Sequence, residues 1–526
     1  MKNLMDYTRF EKNFFRKKWT GRISIALVFP NHYQVGMSNL GFLYVYQRLN
    51  LYQEIVCERV FLPEKNEKIR SIESSRPLKD FNLILFSIPF EVDYINVVKI
   101  LQKGELGLNP TQRTQPVLAG GVATWLNPEP ISSFVDAFLL GEWEEIEKHV
   151  VPIFIEHFNH KKILLEKLST LNFVYLPLSS DQKKIKVAKI KKPEKVVYSD
   201  LISQKATFSE TYLIEVAKGC GRGCRFCAAG FMYRPPRGYP EKALSDVLEN
   251  IPENSKVGLV GLEFANKQEI LEFGKKLLEK SCTLTFSSLR IDALNEDFLE
   301  LLKGTKSVAI APETGSQKLK KVINKNLTPE EIFEVLEKFQ QRGLKNIKFY
   351  FMLGLPFETQ EDLEETVKFI KKLLAQKYNL NLSFTFSFFV PKPHTPFQWA
   401  KFSDLKNLKE KEKWVKKELG YVKNLKVEPP EEALLQTLIA RGSKELKDFL
   451  ISLAQGQNLK RIIKSMPKVL KSLCPQDSLE TEFPWDKIDL GVNKEFLWNE
   501  WQKAKNLKLT GFCHPEKCKL CGACEK

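Results

Sequence analysis

Three cysteines, Cys220, Cys224 and Cys227, stand in the array Cys-Gly-Arg-Gly-Cys-Arg-Phe-Cys directly after an apolar β-like run at 211–217. Thiolates spaced C-x3-C-x2-C on a glycine-bearing turn can reach three corners of a cubane 4Fe-4S cluster and leave the fourth iron without a protein ligand. An open iron can bind a substrate. Gly221 and Gly223 let the backbone turn tightly and aim N–H groups at an anionic cluster, while Phe226 supplies an apolar wall. Two other readings compete, a zinc knuckle short of its fourth ligand and three structural cysteines. Zinc sites favour paired C-x2-C units with a fourth ligand at matching spacing, and none lies nearby.

A second array closes the sequence: Cys513, Cys518, Cys521 and Cys524, four thiols within twelve residues in a C-x4-C-x2-C-x2-C pattern. A second 4Fe-4S cluster and a structural zinc both satisfy it. The run from Cys518 to Cys524 looks ferredoxin-like, which favours the cluster, and His514 is a bystander because four cysteines already complete a site.

These arrays must be held by several domains, since 526 residues exceed one ordinary core. Ten cysteines, seven of them in the two arrays, suit metal ligation in a reducing, cytoplasmic compartment better than a disulfide framework. Cys57, Cys282 and Cys474 remain as expected packing residues. The first residues lack the apolar core of a signal peptide, and no apolar run is long enough to span a bilayer, so no membrane partner is expected. Lys and Arg number 81 against 64 Asp and Glu, a net charge of +17. That balance suits an acidic partner such as RNA, and a lysine-rich solvated surface explains it as well. The stretch 183–192 alternates lysine with apolar residues and predicts an exposed edge strand guarded by charge.

The fold class is α/β in three parts. After a charged leader (1–20), apolar runs at 23–29, 55–61, 83–88, 116–119 and 137–140 alternate with helical patterns, which predicts a doubly wound, Rossmann-like domain over 21–160. Ligands in such sheets bind beyond the strands' carboxyl ends, here the loops 30–41, 89–96, 120–121 and 141–142. Residues 161–205 read as a linker. Six β/α units between 206 and 400 predict a partial barrel, a (β/α)6 arrangement, with the cysteine loop after its first strand. Residues 401–510 are helical, and 511–526 form the cysteine-rich tail. Within the barrel, Thr283/Thr285/Ser287, Lys348/Tyr350/Met352 and Ser383/Thr385/Ser387 alternate with aromatic or aliphatic residues. Helices cover a barrel's outside, so the polar face should point inward and line a cavity, with Glu215 paired to Lys348.

The cysteine array resembles the signature of the radical S-adenosylmethionine (SAM) superfamily, in which SAM chelates the open iron and is cleaved to a 5′-deoxyadenosyl radical. The resemblance implies an enzyme served by a reducing partner such as ferredoxin or flavodoxin. It also implies roles for the strand-end loops: Gly261 and Glu263 for the SAM amino group, Ser288 and Arg290 for its carboxylate, Glu313 for the ribose hydroxyls and Gly354 for the adenine. The loops 29–41, 120–121 and 141–142, with 233–237 and 389–399, are similar to cobalamin-binding-type radical SAM proteins of unassigned function. This likeness implies a methyl transfer through cobalamin. The chain nevertheless has no D-x-H motif to supply the usual cobalt ligand; His32, His149, His157 and His160 sit in other contexts. The alternatives are an RNA-modifying radical SAM enzyme without cobalamin and a non-catalytic iron–sulfur electron-transfer or RNA-binding protein.

Overall fold

The computed structural model describes residues 6–64, 67–179, 184–261, 268–286, 289–291, 294–515 and 517–524. A strand covered on both faces shows as an apolar run without alternation. Ile23–Phe29 (β1) is nearly such a run, whereas Ile55–Phe61 (β2) is interrupted by Glu58 and Arg59, and every residue in both is buried. With Leu83–Ser87 (β3), Val117–Gly120 (β4) and Ala137–Leu139 (β5) they form a parallel sheet of order β2-β1-β3-β4-β5. Antiparallel Val174–Tyr175 (β6) covers one edge. The order reverses between β1 and β3, which makes the gap beyond their carboxyl ends the topological switch point. There Asn31, after β1, donates its side-chain N–H to Asp93, after β3, at 2.9 Å.

The second unit is a parallel barrel in two halves. Tyr198–Ser199 (β7) runs antiparallel beside Thr211–Glu215 (β8), which pairs in parallel with Lys256–Val260 (β9) and then Thr283–Phe286 (β10). Ser307–Glu313 (β11), Asn346–Leu353 (β12), Asn381–Phe388 (β13) and Leu425–Val427 (β14) form the other half, parallel throughout. Among the described residues one parallel bridge, Leu289 to Ile310, links the halves. The sequence predicts six strands; β14 is a seventh parallel one, too short to show periodicity. Helix Pro329–Gln341 starts with the capping box that Thr328 and Glu331 predict.

Alternation along β12 and β13 sorts the faces as expected. Phe349 stacks on Phe384 and Phe351 on Phe386, with ring centroids 5.4 and 5.2 Å apart, and Phe351 meets Phe369 of helix Gln360–Ala375. The opposite face carries exposed Lys348 and Tyr350 and half-buried Ser383, Thr385 and Ser387. Ser287 lies outside the described residues.

Four expectations need correction. The leader is packed, not free: Glu11 is buried in an ion pair with fully buried Arg59 at 2.7 Å, and Glu11–Lys12 pairs with Ile202–Ser203. The stretch 161–205 contributes β6 and β7 and helix Lys161–Ser169, so it is woven into both sheets. Of the stretch 183–192, Ile185–Lys186 pairs in parallel with Ile488–Asp489, and Lys189 turns inward to donate to the Leu490 carbonyl at 2.6 Å. Cys57 and Cys282 are buried, but Cys474 is exposed. Among the described residues no helix is long and apolar enough to cross a membrane.

Candidate active site

Beyond β8 the chain turns at Gly219, where φ is +78° and a Cβ would lie 2.6 Å from the Tyr233 carbonyl oxygen, so glycine alone fits. Cys220 and Cys224 are buried and Cys227 is half-buried. The Arg222 amide points at Cys220 Sγ, and the Arg290 guanidinium, from the loop after β10, reaches Cys224 Sγ, each at 3.4 Å. Donors of this kind suit the sulfur ligands of an anionic cluster. Burial pushes the Cys227 thiol up and the neighbouring Cys224 adds to this, against the amides of Gly230 and Ala229. Half-buried Phe226 packs against an apolar cluster that includes Phe231, Leu319 and Trp399.

Among the described residues no three His, Cys, Asp or Glu side chains converge closely enough to hold a metal ion. Tetrahedral zinc, with Zn–S of about 2.3 Å, draws its sulfurs to roughly 3.8 Å from one another. The thiolates of a cubane stand at the corners of a larger body, so that convergence is not the geometry the triad has to show. What the triad does show, thiols met by an amide and a guanidinium on a tight turn, fits an anionic cluster.

The cysteine loop is fastened from outside the barrel. Arg225, fully buried, gives Nη1 to the carbonyls of Lys321 (2.8 Å) and Val322 (3.1 Å) and Nη2 to that of Lys508 (2.7 Å), and pairs with buried Glu500 at 3.2 Å. Asn324 donates to the carbonyls of Gly223 and Thr510, both at 3.1 Å, and accepts from the Thr510 amide at 2.9 Å. The Cys513 amide donates to the Gly221 carbonyl at 2.7 Å, and the Arg222 guanidinium lies 3.7 Å over the Phe512 ring. The cysteine-rich tail therefore rests on the cysteine loop.

Of the other sequence-predicted positions, Glu313 stands near enough to the cysteine loop to act on the Cys227 thiol. Gly261 follows β9 and is half-buried; Glu263 and Ser288 lie outside the described residues. Glu313 ends β11 with φ +67°, an uncommon conformation for a side-chain-bearing residue, and its carboxylate is 2.9 Å from Lys325. Gly354 follows β12 with φ +77°. It faces Leu408 and lines a groove of about 660 Å³ walled by Phe357, Trp399, Trp414 and Trp501. Glu215 does not pair with Lys348, because it is already held by Lys218 at 2.5 Å and by the Tyr239 hydroxyl at 2.6 Å.

The residue that sequence reasoning missed is Lys218. It leaves the strand in a separate two-residue pairing with Arg237–Gly238, so periodicity gives no sign of it. Buried Lys218 also reaches Glu144 at 2.7 Å, and although burial opposes its charge, Glu215 and Glu144 hold the ammonium well above its usual range. This group stands in a cavity of about 340 Å³ between the two sheets. The carboxyl-end loops of β1, β3, β4 and β5 contribute to it, through Gly41, Pro89, Gly121 and Glu142, and the barrel contributes Glu215, Lys218 and Tyr233. Trp125 and Trp143 also line it, and their indole N–H groups are buried with no acceptor among the described residues. No histidine lines it. His32 instead accompanies the Leu62 carbonyl at 3.1 Å.

Comparison with known proteins follows the same division. Residues 41–177 match the family "Radical SAM proteins, N-terminal", and residues 214–370 match the "Radical SAM superfamily". An uncharacterized protein of Methanocaldococcus jannaschii is 29% identical over 81% of this chain and 90% of its own length. An uncharacterized methyltransferase of Pyrococcus horikoshii (24% identical) and a tRNA-2-methylthio-N(6)-dimethylallyladenosine synthase of Thermotoga petrophila (25%) align with 31% and 32% of this chain. Those alignments span 37% and 41% of the two proteins. Among solved structures, the cobalamin-dependent SAM radical enzyme OxsB with aqua-cobalamin bound covers 92% of this chain and 80% of its own, at 15% identity and a TM-score of 0.43.

Proposed function

We propose that this chain, which belongs to the radical SAM superfamily, is an enzyme that transfers a methyl group through cobalamin held between its two domains. The observation that carries this reading is the cavity where four carboxyl-end loops of a 2-1-3-4-5 sheet face the first loop of the barrel. When bound, the 4Fe-4S cluster and SAM supply the 5′-deoxyadenosyl radical, and the corrin supplies the methyl group. Cys220, Cys224 and Cys227 hold the cluster. Arg290, beside Cys224, offsets its charge and, with Ser288, would meet the carboxylate of SAM. Gly261 and Glu263 take the amino group and Glu313 the ribose, for which Lys325 must yield. Ten cysteines, seven of them grouped as metal ligands, suit the reducing cytoplasm.

The cavity fits cobalamin in one respect and strains it in two. The orphaned Trp125 and Trp143 N–H groups match the amide carbonyls of a corrin's side chains. No histidine lines the cavity, so the chain would hold the corrin without a histidine on cobalt. A corrin also exceeds about 340 Å³, so the loops must part to admit it. The same volume favours a second reading, RNA modification without cobalamin, which the +17 charge and the tRNA-modifying relatives support.

Anaerobically reconstituted, reduced protein should cleave SAM to 5′-deoxyadenosine and methionine, and Cys224→Ala should not. Absence of cleavage by chain with a fully loaded cluster would sink the enzyme reading. After expression with cobalamin, the purified chain should show corrinoid absorption bands. Their absence, together with salt-sensitive tRNA binding, would establish the second reading in place of the first.

A further inference from the structure

We infer that the tail cysteines Cys513, Cys518, Cys521 and Cys524 form a second 4Fe-4S centre that takes an electron from an acidic carrier protein and passes it to the catalytic cysteine loop. The inference rests on the cluster at Cys220, Cys224 and Cys227, not on the methyl transfer proposed above.

Placement is the first ground. One hydrogen bond, from the Cys513 amide to the Gly221 carbonyl, joins a ligand of one array to the loop of the other. Asn324 ties both loops through Gly223 and Thr510. Two centres on loops in direct contact are within easy tunnelling reach. None of the described tail residues lines the interdomain cavity, so the tail meets the catalytic loop away from a substrate held there.

The outer side of the tail is the second ground. Leu520 is 74% exposed, Phe512 48% and Leu509 45%, and exposed Lys508, Lys517 and Lys519 stand among them. Apolar contacts ringed by cations suit a small, acidic one-electron carrier, and the chain's charge of +17 steers such a partner. The third ground is the donor set. Four thiolates in twelve residues give cubane chemistry with no open iron, which suits electron transfer and not SAM binding. The catalytic triad likewise does not converge as around a single ion, so the same openness in the tail does not oppose a cluster. In the transfer the carrier is oxidised by one electron, and the tail centre is reduced and reoxidised by that electron. No bond of the tail forms or breaks. The electron is consumed where the C–S bond of SAM breaks.

The test uses full-length chain reconstituted with iron and sulfide, reduced either by dithionite, which is small enough to reach the catalytic loop directly, or by reduced flavodoxin. Wild type should carry about eight irons and Cys518→Ser about four, with one electron-paramagnetic-resonance signal lost. The ratio of flavodoxin-driven to dithionite-driven SAM cleavage should fall about tenfold or more in Cys518→Ser, because the carrier's entry point is gone. Lys517→Glu/Lys519→Glu should keep its irons and its dithionite-driven rate and should raise the KM for flavodoxin about tenfold. Loss of zinc alone, or of no metal, in Cys518→Ser overturns the cluster. Loss of four irons with an unchanged ratio overturns the relay. If Cys518→Ser also sheds the catalytic irons, the double lysine variant decides, and an unchanged flavodoxin KM overturns the proposal.

Discussion

Removing the Glu500 carboxylate should loosen the cysteine loop by an amount the contacts allow to be worked out. Glu500 is 2% exposed, and it receives Arg225 at 3.2 Å, Lys503 at 2.8 Å and the Thr510 hydroxyl at 2.8 Å. Glu500→Ala leaves the Arg225 guanidinium buried with carbonyls alone. Stripping one partner from a buried ion pair costs about 3–5 kcal/mol, and at 1.36 kcal/mol per decade this is about two to four decades in an opening equilibrium. Two amides report on that opening: Arg225, bonded to the Ile323 carbonyl at 3.0 Å, and Cys513, bonded to that of Gly221 at 2.7 Å. Hydrogen exchange on the reduced, anaerobic chain should show both losing protection together, by two decades or more if that estimate holds. Lys371→Ala, which breaks an exposed pair with Glu418, should leave both unchanged. Should Glu500→Ala change either amide by less than about tenfold, the idea that this ion pair locks the loop to the tail is wrong.

Burial raises the Asp93 carboxyl from 3.8 to about 6, against the pull of the Asn31 and Asn96 amides. The folded state then binds more protons between these values, so Asp93 stabilises the fold in full below the lower one. That contribution, up to about 3 kcal/mol, is lost as pH rises through about 6. Urea midpoints at pH 4 and pH 7 should show this loss in wild type relative to Asp93→Asn; parallel pH dependences in the two proteins would refute it. Gly219→Ala meets both an unfavourable φ and the Tyr233 carbonyl, and should cost about 1–3 kcal/mol and lower the iron content of the reconstituted chain. Full iron loading at an unchanged urea midpoint would show that the turn relaxes around a methyl group.

The parts of the molecule legible in the sequence are those with a period. Mainly apolar runs marked β1 to β5, and alternation along β12 and β13 told the helix-covered phenylalanine face from the polar one. What stayed hidden depends on contacts between distant residues. Glu215 and Lys348 share a polar barrel face, which made them natural partners, yet Lys218 lies three residues from Glu215 and is swung to it by the kink after β8. The stretch 161–205 builds edge strands of two residues, too short for any pattern to register. The cysteine arrays announce metal, but only the folded chain shows that the second array rests on the first.

That contact has a consequence for biosynthesis. The partners that complete the Arg225 site arrive late: Glu500 is separated from it by 275 positions. At about 5–20 residues per second, synthesis of that stretch takes about 14–55 s. During this interval the nascent cysteine loop has the Lys321 and Val322 carbonyls to close on once they emerge, but neither Glu500 nor the Lys508 carbonyl. The ribosome thereby holds open, for about 14–55 s, the side of the loop that the tail later covers. Machinery that delivers iron and sulfide meets a more open loop during elongation than after release.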